Sequence, residues 1–108
     1  MSAATAWLSA RRPAAPALLA ERVEMALDDV SPVPKRTDDL LLDAGELLLA
    51  RLLRGGCATR AAAHDLLTID ALVTYAFEAA TEDDPSSVED RAAAAMRRIA
   101  KLGLEGTA

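Results

Sequence analysis

The sequence predicts an all-α domain: a small four-helix bundle with an αα-hairpin core, a third helix packed on it, and a linker-attached N-terminal helix. Three observations carry this. Alanine and leucine, both strong helix formers, dominate the composition. Strand-favouring β-branched and aromatic residues are sparse, and no run alternates apolar with polar residues. Four segments instead repeat their apolar residues at helical spacing, between Pro, Gly and capping residues. At 108 residues the chain has the length of one domain with a modest core.

Residues 1–15 are Ala-rich, contain no acidic residue and are interrupted by Pro13, so they read as a disordered or loosely docked segment. Trp7 and Leu8 are a stranded apolar pair within it. Trp7 is either a side chain docked loosely on the bundle or an anchor for a partner, Trp being a common hot-spot residue. Residues 16–104 read as a single helical domain.

The first helix is expected over Pro16–Asp29, with Pro16 in the first turn, where its missing N–H costs nothing. Leu19, Val23, Ala26, Leu27 and Val30 form its apolar stripe, which leaves Leu18 and Met25 among the polar residues. The prolines of Ser31–Thr37 disfavour helix and mark a linker. The second helix starts at Thr37 or Asp38, with Asp38 and Asp39 complementing its positive end, and stops at Gly55-Gly56. Gly45 lies on its leucine-rich face, which suggests that another backbone passes close by. Leu40 and Leu47 fall on its other side. With Leu18 and Met25 they make a candidate association surface for a homodimer.

The short Gly55–Ala58 connection makes the second and third helices an antiparallel hairpin. The third, Thr59 to about Thr81, is centred on an apolar arc of Ala62, Leu66, Ile69, Val73, Ala76 and Phe77, widened by Leu72 and Leu67. An arc covering about half the circumference needs neighbours on more than one side. His64, Thr68 and Tyr75 share an outward polar stripe. After the acidic turn Glu82–Pro85, the Ser86-x-x-Glu89 and Ser87-x-x-Asp90 patterns suit a capping box. The last helix buries Val88, Ala92, Ala95, Met96, Ile99 and Leu102 and stops at Gly103.

Composition also bounds function. A net charge of −5 and three aromatic residues in all argue against a nucleic-acid partner, which calls for basic charge beside stacking aromatics. One cysteine, Cys57, cannot form an internal disulfide, which fits a reducing cytoplasm. No apolar run is long enough for a membrane span, and no Cys or His pair has metal-ligand spacing. Arg11-Arg12 precedes an apolar run, but that run is too short and too proline-rich for a twin-arginine export signal. No cofactor motif is present: Gly55-Gly56 follows a helix, where a nucleotide loop follows a strand.

Three functional readings follow. The first is a non-enzymatic protein–protein interaction module, self-associating or binding another protein through Trp7, Leu18, Met25, Leu40 and Leu47. The second is a small regulator or adaptor that docks an anionic partner on Arg91, Arg97, Arg98 and Lys101, although basic residues late in a helix also follow from its dipole. The third is an enzyme or small-ligand site joining Asp70 to His64 or Cys57. Cys57 lies between Arg54 and Arg60, an environment that lowers a thiol pKa. Asp70 is the odd residue beside the apolar arc, and if buried it needs a donor.

Overall fold

A computed structural model describes residues 3–30, 35–55 and 59–106 of the chain. Cys57 and the Ser31–Pro34 part of the linker lie outside these residues. The described chain is all-α, as expected, with five α-helices and a single 3-10 turn. They are α1 (Ala3–Ser9), α2 (Ala17–Asp28), α3 (Thr37–Gly55), α4 (Arg60–Asp83), the 3-10 turn Pro85–Ser87, and α5 (Val88–Gly106).

The hairpin of α3 and α4 is the centre of the fold, and α1, α2 and α5 all pack on it. The starts of α3, α4 and α5 have local causes. Thr59 caps α4, its hydroxyl accepting from the Ala62 N–H at 3.0 Å. Asp38 and Asp39 fill the first turn of α3, where the helix end is positive. The cap before α5 is Asp84, not the expected serines: its Oδ1 accepts from the Ser86 N–H at 3.2 Å and the Ser86 hydroxyl at 2.6 Å. Pro85 then occupies the first turn, where its lack of an N–H is harmless. The hydroxyl hydrogen bond from Ser86 holds the Asp84 carboxyl below the usual carboxylate range.

The core joins Leu41, Leu42 and Ala44 of α3 to Leu72, Ala76 and Ala79 of α4, with Val23 of α2 on one flank and Ala95 of α5 on another. A second cluster, Leu52, Ala62 and Ile69, closes the loop end of the hairpin. Alanine at so many contact positions keeps the helices close without large side chains. Gly45 contributes to the same interface, but not by admitting a backbone. A methyl group there would meet the Leu72 Cβ at 3.5 Å and the Val73 Cγ2 at 3.6 Å, ordinary side-chain contact.

Residues 3–9, expected to be disordered or loosely docked, form a helix: Ala4 is fully buried, and Trp7 and Leu8 pack against the core. In α4 and α5 the expected faces are corrected. In α4 the centre of the expected arc, Ala62, Ile69 and Ala76, is buried, but the buried side extends toward Leu72 and Thr68 and leaves the opposite edge of the arc wet. Leu66 and Leu67 are 47% and 61% exposed, whereas Thr68, placed on the outward stripe, is 1% exposed. The hydroxyl of Thr68 is satisfied within its own helix by donating to the His64 carbonyl at 3.0 Å, so burying it leaves no polar atom stranded. In α5 Met96 is 69% exposed, and Gly103 continues the helix, which runs on to Gly106.

Gly45→Ala is expected to stabilise the fold by about 0.5–1 kcal/mol, because the helix gains propensity and the added methyl meets only ordinary contacts. Thermal denaturation followed by circular dichroism reads this as a rise in Tm. A fall would mean that the α3–α4 interface has no room for the methyl.

Candidate functional site

The polar chemistry of the molecule concentrates at the end where α3 begins and α4 gives way to α5. Asp38 is buried, with its side chain only 8% exposed, and two guanidinium groups hold it. Arg91 Nη1 donates to its Oδ2, and Arg36 Nε donates to its Oδ1 at 3.1 Å. Arg91 Nε also donates to the Ser87 hydroxyl at 2.8 Å, and that hydroxyl donates to the Asp84 carbonyl at 2.9 Å. Arg36 reaches Asp83 with its other end. The network therefore ties the first turn of α3 to the last turn of α4 and the first turns of α5. Asp39 beside it has its carboxyl raised from the ordinary range, first by burial and then by the charge of Asp38.

A second rung lies further along α3 and α5, where Arg98 Nε donates to Glu46 Oε1 at 2.7 Å. Asp38 with Arg91 and Glu46 with Arg98 advance in the same direction on both helices, so α3 and α5 run parallel, with α4 antiparallel to them. Beyond the second rung the helices leave an open groove of about 450 Å³ lined by Glu46, Leu47, Ala50, Arg98, Lys101 and Leu102.

At the N-terminal end, α1 is fastened by Trp7 and Arg11. The indole stands edge-on to Tyr75, with ring centroids 6.0 Å apart and planes at 80°. Arg11 lies over the indole face, 4.0 Å from the ring centroid. Glu82 receives both: Trp7 Nε1 at 2.8 Å on one carboxylate oxygen and Arg11 Nη1 at 2.7 Å on the other. The Arg11 and then the Trp7 hydrogen bond hold the Glu82 carboxyl below its usual range. An apolar groove of about 290 Å³, lined among others by Leu8, Ala20, Val23 and Tyr75, lies between this segment and α2.

The residues singled out from the sequence fall into separate places. Trp7 is half-buried and engaged within the chain, not stranded in a tail. Leu18 and Met25 stand out from α2, 75% and 62% exposed. Leu40 and Leu47 are half-buried, and Leu47 belongs to the wall of the α3–α5 groove, so these two are not the open patch the helical spacing suggested. The basic set divides as well. Arg91 and Arg98 are spent on Asp38 and Glu46, whereas Arg97 and Lys101 are exposed, with no acidic group in ion-pair range among the described residues.

Asp70 is exposed and needs no buried donor, which removes the puzzle it posed. His64 is exposed as well, and Tyr75 is half-buried about 16 Å further along the helix axis, too far to act on the same atom. Neither His64 nor Asp70 lines the grooves described above. Sequence reading missed the Asp38 network. Its signal was the pair of adjacent acids at a helix start, which a capping role already explained. No family model, curated protein or solved structure matches this chain.

Arg91→Met is expected to cost about 3 kcal/mol in urea denaturation, at the low end for a broken buried pair because Arg36 still holds one carboxylate oxygen. Asp38→Leu added to Arg91→Met should recover most of that loss. No recovery would show that the carboxylate matters mainly as the start of α3.

Trp7 is the only tryptophan, so its fluorescence reports the docking of α1 directly. The carboxyl of Glu82 is lowered in the folded state, so its contribution is complete above the unfolded value of about 4.3 and is lost as pH falls through the folded value. Acid titration should change Trp7 emission at pH below the ordinary glutamate range. Glu82→Gln should already show part of that change at neutral pH. Emission of the variant identical to the wild type would remove Glu82 from the clamp.

Proposed function

We propose that the chain is a non-enzymatic helical interaction module that acts as a homodimer. The observation that carries this reading is the outer side of α2. Leu18 and Met25 lie seven residues apart, two helical turns on one side, and both are largely exposed. Scattered single leucines on a surface are ordinary, but here two large apolar side chains share one side of a twelve-residue helix, with the charged Glu21 and Arg22 on the turn between them. Leu40 and Leu47 contribute less than the sequence spacing suggested, because each is already partly covered.

The second reading, an adaptor for an anionic partner, keeps only Arg97 and Lys101 of its four residues as exposed groups outside internal ion pairs. It supports a weaker docking surface than the four together.

Light scattering on a size-exclusion column, run over a range of protein concentrations, tests the module reading. The expected result is a mass of twice the chain at tens of micromolar, falling toward the monomer on dilution. A monomer at every concentration up to the high micromolar range would remove it.

A further inference from the structure

Two surfaces of the molecule have opposite charge and similar apolar character. Beside Leu18 and Met25 on the exposed side of α2 stand Glu21 and Asp28, two carboxylates against the guanidinium of Arg22, while Asp29 just past the helix is already met by Arg51. The α3–α5 groove has the reverse balance. Leu47, Ala50 and Leu102 form its apolar part, and Arg98 and Lys101 line it, with Arg97 one turn before Lys101 on the same helix. Among the described residues Glu46 is the one carboxylate on its wall, and Arg98 already meets it.

We propose that the groove between α3 and α5 receives the outer stripe of α2 from a second copy of this chain. Leu18 or Met25 fills the apolar part of the groove, and the carboxylates flanking the stripe face Arg97 and Lys101. This rests on the self-association reading above and specifies its contact. Stripe and groove are different patches, so a closed dimer needs a two-fold axis that places each copy's stripe in the other's groove; without that axis the contact would propagate from copy to copy. The acidic balance of the whole chain does not oppose such pairing, because the groove is a local basic island. Salt should weaken it, since the facing charges are exposed.

Two double variants separate this contact from any other mode of self-association. Leu18→Lys with Met25→Lys removes the stripe, and Arg97→Glu with Lys101→Glu reverses the groove. All four residues are exposed, and circular dichroism checks that each variant stays folded. In sedimentation velocity at low salt, each variant alone is expected to self-associate at least about tenfold more weakly than the wild type. Mixing the two should restore association, because one chain brings an intact stripe and the other an intact groove.

If the stripe variant loses association, the groove variant keeps it and mixing restores nothing, the α2 stripes pair with each other and this inference fails while the homodimer stands. If neither variant affects a wild-type dimer, the contact lies elsewhere and the inference again fails alone. A wild-type monomer at all concentrations overturns both.

Discussion

A carboxylate placed out of water has to be met by donors, and Asp38 is such a carboxylate. It sits in the first turn of α3, where the helix end favours negative charge, but burial makes that favour insufficient without Arg91 and Arg36. Because Arg91 belongs to α5 and Arg36 also reaches Asp83 at the end of α4, satisfying one acid sets the positions of three helix ends together. The Asp84 cap, with Ser87 between it and Arg91, extends the same constraint into the turn that starts α5. The apolar core then fills the space those ends define, using small residues at most contacts.

That arrangement explains the uneven fastening of the outer helices. α5 is held to α3 by two ion-pair rungs and by Ala95, and past the second rung it leaves a groove. α1 is short and owes its place to an aromatic contact, a cation over a ring and one shared carboxylate. α2 inserts Val23 and leaves its other side, with Leu18 and Met25, in water. The candidate surfaces of this protein are therefore what remains after its internal polar groups have found partners. Arg91 and Arg98 left the list of docking residues for that reason, and Arg97 and Lys101 stayed on it.

The expectations that needed correction share a cause. Periodicity gives the apolar width of a helix but not the direction from which its neighbours arrive. In α4 the apolar arc was wide enough that the core could sit to either side of its centre. The neighbours cover Leu72, Ala76 and Tyr75, and leave Leu66 and Leu67 wet. The capping boxes beginning at Ser86 and Ser87 were sound patterns, but Asp84 with Pro85 after it made a better start two residues earlier. The N-terminal segment read as disordered or loosely docked because its composition lacks charge pairs of its own. Its partners, Glu24, Glu78 and Glu82, come from other helices.

Local chemistry was enough to read off the helical class, the αα-hairpin, the acidic first turn of α3, the exposure of Leu18 and Met25, and most element boundaries. Each of these depends on residues within a few positions of one another, through propensity, capping and spacing. Tertiary structure alone decided which side of α4 is buried, that Asp38 and Arg91 meet although 53 residues apart, and that Leu47 shares a groove with Lys101. Those outcomes depend on where distant helices lie relative to each other. Contact between side chains far apart in sequence is set by the packing of whole helices, which no local pattern encodes.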